Sequence, residues 1–111
     1  MQEASSQTKR IRDLNDAFRK SMVGDVVITH GVAGLPSDVQ AMAIRKVATF
    51  DAFTPDNDPH GEQDFASFDV AGQKVFWKID YYDPRLEFGS DDPGDAAKIR
   101  RVLTIMLAEE Y

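Results

Sequence analysis

At 111 residues the chain has the length of one domain. Hydrophobic residues make up 42% and charged residues 29%, which excludes wholesale disorder and fibrous repeats, and the absence of cysteine excludes disulfides and thiolate zinc sites. The net charge is −6, and its excess lies in residues 51–95, where twelve Asp/Glu meet three Lys/Arg. Such a segment repels a phosphate backbone and suits a basic partner, a cation or simple solubility.

The longest apolar run, Val102 to Ala108, is too short for the ~20 residues a bilayer span needs. The opening residues Met1–Ser6 lack the apolar core of a secretory signal. The expectation is a cytoplasmic protein of a reducing compartment with no membrane contact.

Residues 1–6 are polar and are expected to fray, leaving a single domain over 7–111. Ile11, Leu14, Phe18 and Met22 recur at helical spacing and predict a first helix over 7–22, with Arg12, Asp16, Arg19 and Lys20 on its outer face. Gly24 is the expected left-handed stop. Residues 25–29, rich in β-branched side chains, predict a strand. Residues 30–34 read as a flexible exit. A second helix follows over 37–50, with Val39, Met42, Ala43, Val47 and Phe50 as its buried stripe.

Residues 51–62 form a loop with Pro55, Pro59, Gly61 and several acids. Residues 64–70 and 73–81 then alternate around Ala71-Gly72, the signature of a hairpin. Pairing Val70 with Gln73 sets Phe68 opposite Val75, Ala66 opposite Trp77 and Asp69 opposite Lys74. That register gathers Phe68, Val75, Trp77 and Ile79 on one face. A second acidic loop spans 83–94. Asp95 is the expected N-cap of a last helix over 96–110, whose stripe is Ile99, Val102, Leu103, Met106 and Leu107. The order α-β-α-β-β-α predicts an α+β domain: three helices packed on a small, mostly antiparallel three-stranded sheet.

Three strings stand out: residues 50–65 (FDAFTPDNDPHGEQDF), 77–83 (WKIDYYD) and 103–111 (LTIMLAEEY). Together they resemble a bacterial family known as domain of unknown function 3768, from about Ile11 onward. The resemblance implies a single-domain protein, often encoded near genes of plasmids and other mobile elements, with no assigned activity. The loop of that family commonly reads Gly-Glu-His-Asp-Phe, and this chain carries Gln63 at the His position.

Asp56, Asp58 and Gly61 match positions one, three and six of a calcium loop, but Ser67 stands where the bidentate glutamate belongs. An Asx-turn loop is therefore favoured over a cation site built from Asp56, Asp58 and His60. His30 and His60 are the only histidines and fall in separate loops, so the spacing leaves open whether they meet. His60 beside Glu62 is the better candidate for general acid–base work. Nucleophile elbows and phosphate-cradling glycine loops are absent, and Phe76 stands where a nuclease core needs a carboxylate two before Lys78.

The expected function is a non-catalytic acidic protein-binding module without a cofactor, in the setting of an accessory or anti-defence factor of a mobile element. Its partner would present a basic surface, with Phe76 and Tyr82 as apolar anchors and Asp91 and Asp92 on the charged rim. The rival is a small enzyme or metal-dependent protein using Asp56, Asp58, His60 and Glu62, joined by Asp80 and Asp83.

Overall fold

The computed structural model describes residues 6–85, 89, 93–95 and 99–111. Helix α1 (Ser6–Ser21) buries Ile11, Asn15 and Arg19, spaced four apart on one stripe. Arg19 was expected on the outer face, yet it is only 1% exposed. Its Nη1 donates to the carbonyls of Val47 at 2.7 Å and Phe50 at 2.9 Å. These are carbonyls at the end of α3 (Ser37–Thr49), which need donors from outside the helix. The guanidinium also lies over the rings of Trp77 and Phe53. Helix α1 stops at Ser21, where Met22 already has a positive φ of 54°, and Gly24, with φ 128°, follows two residues on. Gly24 has its own reason to be glycine: a Cβ there would fall 2.9 Å from Phe18 Cε1.

Strand β1 (Asp25–Ile28) leads into a short helix, α2 (His30–Ala33), where the sequence predicts only a flexible exit. Val32 explains the difference, since it is fully buried in the core. In α3 the buried residues are Ala43 and Val47, whereas Met42 is exposed. Strands β2 (Phe65–Val70) and β3 (Gln73–Tyr82) pair antiparallel in the predicted register, Val70 with Gln73 and Ala66 with Trp77. Ala71 and Gly72 both have positive φ, as a two-residue turn of the hairpin hand requires.

The last helix is a correction. Residues Arg100–Leu107 form strand β4, followed by a 3-10 turn over Ala108–Glu110. Strand β4 lies between β3, antiparallel, and β1, parallel, so the sheet is mixed and four-stranded in the order β1-β4-β3-β2. The fold remains α+β with three α-helices among the described residues, the additional one being α2 rather than a C-terminal helix.

Leu103, Ile105 and Leu107 of β4 join Val75, Trp77 and Ile79 of β3 on the core face. Side chains from all three helices pack on this face, including Phe18, Val32 and Val47. Trp77 is fully buried there, against Phe50 and Phe53 rather than a last helix. The opposite sheet face carries Phe65, Phe76, Lys78, Thr104 and Val27, and no described helix packs on it. No helix of the described residues is long and apolar enough to cross a membrane.

Candidate functional site

The antiparallel ladder brings the start of β2, the end of β3 and the start of β4 to one end of the sheet. The loop before β2 and the loop between β3 and β4 therefore emerge together. Residues 51–64 and 83–95 hold ten Asp/Glu and one Arg, while the hairpin between them is balanced, Asp69 and Asp80 against Lys74 and Lys78. All the excess acidity of the middle segment thus lies in its two loops rather than in the hairpin. The loops also meet the start of α1. A Cβ at Gly94 would fall 2.7 Å from the Gln7 side chain, and one at Gly61 would sit 3.5 Å from Thr8.

A buried polar clasp holds this end together. Asn15, fully buried on α1, donates through Nδ2 to the Glu62 carbonyl at 3.0 Å and to the Tyr81 hydroxyl at 2.8 Å. The Tyr81 hydroxyl donates onward to Glu62 Oε1 at 2.9 Å. Arg101 Nε donates to Asn15 Oδ1 at 2.6 Å, its Nη2 donates to the Pro93 carbonyl, and its guanidinium lies over the Tyr81 ring. One helix, two strands and both acidic loops are thereby tied in a single network.

Asp16 makes a second rung. It accepts from Arg19 Nη2 at 3.2 Å. With its amide oriented to donate, Gln63 Nε2 lies 2.8 Å from Asp16 Oδ1. Gln63 thus serves as a donor that ties the loop to α1.

Burial pushes the Tyr81 phenol well above its ordinary range, keeping it a neutral donor. Burial pulls the Arg101 guanidinium down, opposed by Tyr81 and Glu62. The Asp64 carboxyl is raised, first by burial and then by the neighbouring charge of Glu62.

The clasp uses the oxygen and the amino group of Asn15, and it occupies Glu62. Glu62 therefore serves in the network rather than beside His60, which is exposed. Asp58 accepts from the Gln63 amide at 3.1 Å within its own loop, and Asp56 is exposed. No three His, Cys, Asp or Glu side chains gather to hold a metal among the described residues. His30 lies on α2, beyond the other end of β1, with the sheet between it and His60.

Phe76 and Tyr82 share the uncovered face but stand six residues apart on β3. Tyr82 sits at the acidic end, opposite Arg100 and bridged to Gly89. Phe76 sits towards the hairpin turn, packed edge to face with Phe65 at 5.5 Å and Tyr111 at 5.3 Å. Asp80 pairs with Lys78, Asp83 accepts from the Arg85 amide, and Asp91 and Asp92 lie outside the described residues.

The sequence reading misses Asn15, Tyr81 and Arg101 as site residues. One signal was available: Asn15 stands four residues after Ile11, on the stripe that meets the core.

A family model for a protein of unknown function (DUF3768) matches residues 28–110. No curated protein and no solved structure matches significantly. The match takes in both acidic loops, Tyr81, Arg101 and strands β2 to β4, and the chain belongs to the DUF3768 family.

Proposed function

We propose that the protein is a non-catalytic binding module whose acidic sheet end engages a basic protein surface, with Tyr82 as the apolar anchor at its edge. One observation carries this reading: ten acidic residues against one basic residue fall in two loops that the fold fastens side by side. A stretch of one charge sign held by a buried clasp is a preorganised surface, and preorganisation lowers the ordering cost of binding. An accessory or anti-defence role in a mobile element is the setting that the family resemblance implies.

Such a surface acts mainly on association. Long-range attraction raises the on-rate and fades as the Debye length shrinks to about 8 Å at physiological salt. The test is capture from the native host with mass spectrometry, then surface plasmon resonance on the captured protein at several salt concentrations. Asp56→Lys combined with Asp91→Lys and Asp92→Lys should slow association at least about tenfold at low salt. Tyr82→Ala should instead speed dissociation. An association rate indifferent to both salt and charge reversal would refute the proposal.

A further inference from the structure

The sheet face turned away from the helices has a different character from the acidic end. Its charged side chains are Asp25, Asp69 and Asp80 against Lys74, Lys78 and Arg100, so it is neutral in a chain of net −6. Two of these acids already meet their bases on the same face, Asp25 with Arg100 and Asp80 with Lys78. Apolar groups lie between them: Val27 is 48% exposed, Tyr111 is 72% exposed, and Phe65 and Phe76 are half-buried. The three rings pack edge to face on one another at 5.3–5.6 Å, which suits an apolar contact better than parallel stacking on a nucleobase.

We infer that this face is a self-association surface whose partner is a second copy of the chain. The argument is charge complementarity. A two-fold interface sets a patch against itself, so the patch must complement itself, and a balanced face does so while a one-sign face cannot. A two-fold axis running across the strands sets the two copies antiparallel. Each acidic end then lies over the hairpin end of the other copy, and the charged loops stay apart.

The area is adequate for a reversible dimer. Four strands at ~4.8 Å spacing and about eight residues at ~3.3 Å rise give roughly 500 Å² per protomer. Two copies then bury on the order of 1,000 Å², the lower edge of specific interfaces. Tyr82 lies on this same face at its acidic edge, whereas the acidic loops lie beyond the strand ends, so the two surfaces meet at that side chain.

Sedimentation equilibrium on the full chain tests the inference. The expected result is a monomer–dimer equilibrium in the micromolar range, about what an interface of this size supports. Val27→Arg and Tyr111→Ser, both at exposed positions, should each weaken it by roughly tenfold or more, since an introduced charge or a lost aromatic contact is costly in so small an interface. Met42→Arg, at an exposed position of α3 in the helix layer on the other side of the sheet, should leave the dissociation constant within about twofold. Raising salt from about 50 to 300 mM should change it less than about threefold, because the face has no net charge. Reversal of Asp56, Asp91 and Asp92 should not weaken it, which separates failure here from failure of the acidic-end proposal. A chain that stays monomeric at about 200 μM, well above that range, would overturn the inference. So would a dimer that Val27→Arg and Tyr111→Ser leave intact.

Discussion

Tyr81→Phe isolates the clasp, because it deletes one hydroxyl and keeps the ring that Arg101 covers. The hydroxyl donates to the Glu62 carboxylate and accepts from Asn15. A hydrogen bond to a charged group contributes about 1.5–3 kcal/mol and a neutral one about 1 kcal/mol. Asn15 Nδ2 keeps the Glu62 carbonyl as a partner, so its loss is cushioned. The expected destabilisation is therefore about 2–3 kcal/mol, a large share of the roughly 5–15 kcal/mol that a domain possesses.

Urea unfolding followed by Trp77 fluorescence reads this directly, since Trp77 is the single tryptophan and is fully buried. With a slope near 1.5 kcal/mol/M, the midpoint should fall by about 1.3–2 M. Asn15→Ala combined with Tyr81→Phe should cost less than the two apart, by about 1 kcal/mol, because they share a bond. A midpoint shift below about 0.3 M would mean that water replaces the hydroxyl at no loss, and the clasp would not be what fastens the loops.

Trp77→Ala should cost about 3–5 kcal/mol in urea unfolding followed by circular dichroism, through the cavity left against Phe50 and Phe53. Ala71→Asn should stabilise by roughly 0.5–1 kcal/mol, since Ala71 sits at φ 51° in a turn that favours Asn-Gly. Asp64→Asn should raise the melting temperature at neutral pH. The folded state raises the pKa of Asp64 above its unfolded value of 3.8, so wild type gains stability as pH falls through the raised value. The gap between the two proteins should therefore close as the pH approaches 3.8 or below, and a constant gap would refute the assignment. Calorimetry with Ca²⁺, Mg²⁺, Mn²⁺ and Zn²⁺ should show nothing tighter than about millimolar, because the 56–62 loop lacks a bidentate twelfth-position ligand. Micromolar binding abolished by Asp56→Ala/Asp58→Ala would refute this.

The hairpin was legible because alternation, a two-residue turn and opposite charges agreed on one register. Strand β4 was not. It runs between β1 and β3, and Leu103, Ile105, Met106 and Leu107 are buried on both of its faces. With Met106 buried on the outer face as well, the end of the strand loses its alternation and reads as a continuous apolar run. Such a run also satisfies three- and four-residue spacing, so the β-branched content of Val102, Thr104 and Ile105 was the better guide. Missing β4 hid the clasp as well, since Arg101 on a helix would not face Tyr81. Arg19 escaped for another reason. A charged side chain at helical spacing reads as solvated unless the carbonyls it caps are known, and those belong to α3, 28 residues or more away.

The clasp also bears on why so much charge can gather at one end. Exposed carboxylates repel by only about 1 kcal/mol at 4 Å in water, and salt reduces this further. Several bonds of the clasp, two of them donated by Arg101 and one accepted by the Glu62 carboxylate, outweigh a repulsion of that size. Arg101 also places a positive charge beneath the loops, where burial shields it from salt. Asp64 shows the remaining cost, because its carboxyl is held in a site that disfavours its charge. A chain shaped for stability alone would carry neutral loops here. The fold instead fastens two acidic loops together by buried hydrogen bonds, and the raised carboxyl of Asp64 is what that arrangement costs.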